Sequence, residues 1–77
     1  MALIEFFDEN VGNIVCLNID EIIIIRDVTD TTRKCNDNVK TRISLNDGHY
    51  VETPTSYEEV MQRISKHVRY ESLRFDK

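Results

Sequence analysis

Two histidines and two cysteines are the residues of this chain best suited to metal binding or nucleophilic chemistry. They are His49, His67, Cys16 and Cys35, and none has a partner at the spacing that zinc ligands usually show; the cysteines do not form a C-x-x-C motif. Nucleophilic catalysis also needs a nucleophile, a base and an orienting group around a cavity, which a chain of 77 residues rarely encloses. The sequence therefore predicts no catalytic, cofactor-binding or metal-binding residues, and a protein that is not an enzyme.

Two adjacent pairs of carboxylates, Asp20-Glu21 and Glu58-Glu59, have the residue types of acid–base catalysis. The second pair has a structural explanation. Ser56 followed by Glu59 is a capping box, and acidic residues stabilise the first turn of a helix. We therefore interpret Glu58 and Glu59 as helix-start residues.

Four basic residues fall in one loop and the strand that follows it, and they are candidate phosphate contacts: Arg33, Lys34, Lys40 and Arg42. Basic residues are also expected wherever a strand face meets water, and lysine protects strand edges. The net charge of −4 disfavours a general polyanion binder, and no aromatic residue alternates with these bases as a stacking platform would require. Nucleic-acid binding is therefore the alternative and not the preferred function.

Strand patterns occupy most of the first two thirds of the chain. We expect residues Asn46 to Gly48 to form the loop of the second of two hairpins, with Gly48 in the left-handed region of backbone conformation. The strands should then pair with Ile43 opposite Val51, because this register keeps apolar residues together. Pro54 ends the last strand because it cannot donate a hydrogen bond. The other predicted strands are Ala2–Phe7, Ile14–Leu17, Glu21–Val28 and Val39–Leu45.

One helix is predicted from Tyr57 to about Val68, beginning after the Ser56 cap. Its apolar positions recur at intervals of three and four residues and form a single stripe. The members of that stripe are Tyr57, Val60, Met61, Ile64, His67 and Val68.

These elements predict a single small α+β domain over residues 1–77, with residues 70–77 as a polar tail. The expected architecture is a small antiparallel β-sheet of four or five short strands, including two hairpins. The C-terminal helix should pack on the sheet face that carries Ile43 and Val51.

Four consecutive isoleucines, Ile22 to Ile25, place apolar side chains on both faces of the third strand if side chains alternate strictly. Ile22 and Ile24 then face one side, and Ile23 and Ile25 the other. A single helix covers one face of a small sheet, so the other face should be an interface, most simply in a homodimer. The predicted interface residues are Ile23, Ile25, Phe6 and Phe7.

No secretory signal pattern begins the chain, and no apolar run approaches the ~20 residues of a membrane span. We therefore expect a cytoplasmic protein that does not insert into membranes, with reduced thiols.

The sequence resembles the small flagellar and swarming motility proteins of the FlbD type. The similarity covers a strand entry, a hairpin and a helix start, while the loop Thr29–Asn38 is longer than that family's link and Asp47 is an extra turn residue. It implies a small cytoplasmic accessory protein without catalytic residues. The matching positions are Leu17, Asn18, Asp20 and Ile22; Ile43, Leu45, Asn46, Gly48, Tyr50 and Val51; and Ser56, Glu59, Val60 and Ile64.

Together these features predict a non-enzymatic protein-interaction or adaptor module with an accessory or regulatory role, whose protein partner the residues leave open. The alternative is a nucleic-acid-binding regulatory module, because the isoleucine-rich strand, glycine-turn hairpin and following helix also resemble the LytTR-type DNA-binding domain.

Overall fold

A computed structural model describes residues 2–31 and 36–66 of the chain. Within them the predicted α+β class, with short antiparallel strands, two hairpins and a C-terminal helix, is confirmed. The strands are divided between a two-stranded sheet, β1–β2, and a three-stranded sheet in the order β3–β4–β5. The elements are β1 Leu3–Asp8, β2 Asn13–Asn18, a 3₁₀ turn Ile19–Glu21, β3 Ile22–Asp27, β4 Thr41–Leu45, β5 Tyr50–Thr53 and helix α1 Tyr57–Ser65.

The first hairpin pairs β1 and β2 around a turn that ends in Gly12. Gly12 has a φ of 76°, which is easy only for glycine, and its amide donates to the Asp8 carbonyl at 2.8 Å. Burial along β1 alternates strictly, so Ile4 and Phe6 face the core while Leu3 and Phe7 face outward. The hairpin therefore has an inner and an outer face.

The second hairpin, β4–β5, has the register predicted from its turn residues. Ile43 lies opposite Val51, and Gly48 has a φ of 91°. The Leu45 amide donates to the His49 carbonyl at 2.8 Å, which closes the loop of Asn46, Asp47 and Gly48. The three-residue loop with glycine in the left-handed region is thus confirmed.

Strand β3 departs from strict alternation. Ile22 is opposite Leu45 and Ile24 is opposite Ser44, so Ile23 is an extra residue in a β-bulge. The bulge brings Ile25 to the same face as Ile22, and both are buried, at 0% and 3% exposed. Ile23 is 50% exposed and Ile24 is intermediate. The expected division of the isoleucines between two faces is therefore wrong.

Helix α1 begins where the capping box predicts it. The Ser56 side chain accepts a hydrogen bond from the Glu59 amide at 3.2 Å. The helix buries Tyr57, Val60 and Ile64, as predicted, whereas the predicted extension through His67 and Val68 and the polar tail at 70–77 lie outside the described residues. The helix packs into a core shared by both sheets, formed by Ile4, Phe6, Leu17, Ile19, Ile22, Ile25, Ile43, Val51, Tyr57, Val60 and Ile64.

The two sheets meet where β1 ends beside β5. The Glu9 amide donates to the Glu52 carbonyl at 2.7 Å, and the buried Asp8 carboxylate accepts from the Glu52 amide at 3.3 Å and the Asn10 amide at 2.9 Å. Asn36 adds a side-chain hydrogen bond to Glu9 at 3.1 Å. This polar junction joins the hairpin to the three-stranded sheet.

Candidate interaction surface

The outer face of the β1–β2 hairpin carries a group of exposed apolar side chains. Leu3 is 57%, Phe7 38% and Ile14 60% exposed. Phe7 is directly opposite Ile14, and Glu5 is opposite the exposed Cys16. We call these five residues, Leu3, Glu5, Phe7, Ile14 and Cys16, the hairpin face.

A groove of about 320 Å³ borders the hairpin face on the side of helix α1. Arg63 from the helix forms one wall. Its guanidinium lies over the Phe6 ring, 4.3 Å from the centroid, and donates to the Glu5 carbonyl. The groove therefore combines a cation from Arg63 and a carboxylate from Glu5 with the apolar pair Phe7 and Ile14.

Two of the four predicted interface residues are buried inside the chain. Ile25 is 0% and Phe6 1% exposed, so neither can contact a partner. The bulge at Ile23 turns Ile25 inward, and Phe6 occupies an inner position of β1 beneath Arg63. Phe7 and Ile23 are exposed, but they lie on different sheets.

The candidate phosphate contacts have separate environments. Arg42 donates to Glu52 Oε2 through Nη2 at 2.7 Å and through Nε at 3.1 Å, and Glu52 is 1% exposed. Lys40 is exposed, whereas Arg33 and Lys34 lie outside the described residues. The Arg42 charge is therefore neutralised by a buried carboxylate.

Sequence reasoning overlooked both the Arg42–Glu52 pair and an aromatic residue beside it. Tyr50 is 48% exposed, and the Arg42 guanidinium lies 4.8 Å from its ring centroid. Both contacts follow from the correctly predicted register: once Ile43 is opposite Val51, Arg42 is opposite Glu52 and Tyr50 is on the same face. The signal was present in the hairpin sequence.

Asp47 and His49, at the turn of the second hairpin, form an exposed acid–histidine pair. The Asp47 carboxylate accepts a hydrogen bond from the His49 amide at 3.0 Å and lies 3.1 Å from the His49 ring nitrogen. These two contacts lower the pKa of the Asp47 carboxyl.

Among residues 2–31 and 36–66, no three histidine, cysteine or acidic side chains are grouped closely enough to hold a metal ion. In the same residues no helix has the length and apolar character needed to cross a bilayer.

Comparison with known proteins gives no match to any family model, curated protein or solved structure. The FlbD-type resemblance therefore stays a prediction from the sequence motifs, and the hairpin face must be interpreted from its own geometry.

Proposed function

We propose that this protein is a non-enzymatic protein-interaction module that self-associates as a homodimer through the hairpin face. The observation that supports it is the exposure of Leu3, Phe7 and Ile14 on one face of the β1–β2 sheet, where Phe7 and Ile14 are directly opposite each other. Grouped apolar side chains of this kind mark interaction sites on soluble domains.

The energy available from this face suits a reversible contact. Covering each of the three half-exposed side chains contributes roughly 1 kcal/mol. Two copies together therefore offset the lower end of the ~4–15 kcal/mol cost of association. Micromolar affinity corresponds to about 8 kcal/mol, so a dimer at micromolar protein also needs main-chain and charge contacts beyond these side chains.

The charges around the face favour a second copy as the partner. Glu5 lies within the hairpin face and Arg63 lines the adjoining groove. A two-fold interface brings each surface against an identical one, so a face with one acid and one base is complementary to itself. A partner carrying charge of a single sign would match only half of it.

Sedimentation equilibrium at tens of micromolar protein tests the proposal. Wild-type protein should sediment as a dimer, and Ile14→Asp should shift it to monomer because the new carboxylates would be desolvated in the interface. Val11→Asp is the matched control, since Val11 is 63% exposed but lies in the turn of the hairpin. A wild-type monomer, or equal loss of dimer in both variants, would contradict the proposal.

The FlbD-type resemblance supports an accessory or regulatory role in the cytoplasm for this module. Affinity capture from the native host with wild-type and Ile14→Asp protein in parallel tests that role. Specific recovery of motility-system proteins supports it, and their absence from both captures contradicts it.

Nucleic-acid binding is the second candidate, favoured by the exposed Tyr50 beside Arg42, with Lys40 exposed immediately before the strand that carries Arg42. The Glu52 carboxylate weakens it, because it neutralises Arg42. Phosphate contacts make affinity fall steeply with salt, so gel shifts at low and high salt decide. An absence of binding to single- and double-stranded DNA and RNA at low salt would eliminate this candidate.

A further inference from the structure

The outer edge of β2 has main-chain groups that point away from β1. The Ile19 amide donates to the Ala2 carbonyl at 3.0 Å, so that pair is hydrogen-bonded. Hydrogen-bonded and non-hydrogen-bonded pairs alternate along an antiparallel ladder. The amides and carbonyls of Leu17, Val15 and Asn13 therefore also point toward β1. The amides and carbonyls that remain point outward, and they belong to Ile14, Cys16 and Asn18. No strand pairs with this edge in the part of the chain that the structure describes.

The β2 edge lacks the features that normally prevent strands from pairing. Its six residues, Asn13–Asn18, include no charged residue and no proline. Strand β3, one of the two outer strands of the other sheet, ends in Arg26 and Asp27 and contains a bulge at Ile23. Charge and bulges protect sheet edges from pairing, so β3 is protected and β2 is open.

We infer that two copies of this chain join through antiparallel pairing of β2 with β2, which forms a continuous four-stranded sheet. This inference rests on the self-association proposed above and names its geometry. An uncharged strand can pair with its own copy without placing like charges opposite each other. The same pairing brings the two hairpin faces side by side on one side of the four-stranded sheet, with Ile14 of each copy next to the junction.

The register of the pairing follows from symmetry. A two-fold axis at Cys16 is the arrangement that uses all three outward-pointing residues, with Cys16 opposite Cys16 and Ile14 opposite Asn18 of the second copy. It also places the half-buried Val15 opposite Leu17, which keeps apolar residues together on the inner face.

One local contact must be exchanged when the strands pair. The Ile14 amide is held by the Asn13 side-chain oxygen at 2.8 Å. Pairing replaces that bond with a main-chain one. Asn13→Ala therefore leaves the Ile14 amide free to pair, and dimerisation of this variant should be as strong as or stronger than that of the wild type.

Cysteine cross-linking tests the register directly, in a Cys35→Ser background that leaves Cys16 as the single thiol. Opposed residues of a hydrogen-bonded pair have Cα atoms about 5.5 Å apart, within the ~4.4–6.8 Å range of disulfides. Mild oxidation at tens of micromolar protein should convert most of this variant to a covalent dimer. The matched control places the thiol at the exposed turn, as Val11→Cys with Cys16→Ser and Cys35→Ser. The proposed register separates the two Val11 positions by roughly 30 Å, so the control should stay monomeric on denaturing gels.

A second variant tests the pairing without cross-linking. Cys16→Pro removes an amide that points away from β1, so the hairpin should keep its fold while the dimer dissociation constant rises at least tenfold. Circular dichroism checks the fold. A dimer by sedimentation in which the Val11 thiol cross-links as fast as Cys16 would overturn the β2 pairing and leave self-association intact. A wild-type monomer would overturn both.

Discussion

The ion pair between Arg42 and Glu52 should be a structural requirement of the fold, and replacing Arg42 with methionine tests this. Methionine keeps a flexible apolar side chain and removes the guanidinium. Glu52 is 1% exposed and receives two hydrogen bonds from Arg42, at 2.7 and 3.1 Å. Arg42→Met therefore leaves a buried carboxylate without the cation that compensates its charge.

Removing one partner of a buried pair costs about 3–5 kcal/mol. The Arg42 side chain is 28% exposed, so solvent screens part of the interaction and the cost should lie near 3 kcal/mol. A domain of 77 residues has a total stability of about 4–12 kcal/mol. A loss of this size lowers the melting temperature by about 12 °C or more.

Urea unfolding followed by circular dichroism measures the effect. Lys40→Met is the matched control, because Lys40 is an exposed base two residues before Arg42; its cost should stay below about 1 kcal/mol. The double variant Arg42→Met with Glu52→Leu should recover most of the stability, since apolar replacement of a buried pair is often neutral. Equal, small losses in Arg42→Met and Lys40→Met would refute the reasoning.

Three further substitutions test local features by urea unfolding. Ser56→Ala removes the helix cap and should cost about 1 kcal/mol. Ile25→Ala should cost about 2–5 kcal/mol because Ile25 is fully buried, whereas Ile23→Ala, at a half-exposed position, should cost less than about 1 kcal/mol; equal costs would contradict the bulge. The hydroxyl and amide of Thr29 donate to Asp27 and lower the pKa of its carboxyl, so this contribution to stability is present above about pH 4 and is lost as pH falls through the lowered pKa. Thr29→Val should therefore destabilise the protein at neutral pH and differ less from wild type near pH 2; a constant difference would contradict this cause.

Local rules predicted the parts of the fold that depend on residues close in sequence. The loop from Asn46 to Gly48 determined the register of Ile43 with Val51, and Ser56 determined the start of the helix. Both depend on main-chain geometry and hydrogen bonds within a few residues. The class, the two hairpins and the inner stripe of the helix followed from the same patterns.

The interface prediction was wrong at Ile25 and Phe6 for reasons that no local pattern contains. The bulge at Ile23 is visible only in the pairing of β3 with β4, where Ile22 and Ile24 lie opposite the adjacent residues Leu45 and Ser44. Phe6 is covered by Arg63, a residue 57 positions later in the chain. Alternation places Phe6 and Phe7 on opposite faces of β1, but tertiary contacts decide which face is covered, and at Ile25 the bulge breaks the alternation itself.

The bulge in β3 also affects how the strand would respond to a change in chain length. Deleting one residue from a regular strand turns every following side chain to the opposite face, which usually destroys a core. Here Ile22 is opposite Leu45, Ile24 opposite Ser44 and Ile25 opposite Ile43, so deletion of Ile23 would leave an unbroken ladder with each remaining pair in place. Strand β3 should therefore tolerate shortening from six residues to five, which the regular strands of this fold should not. Sequences one residue shorter at this point should fold to the same core.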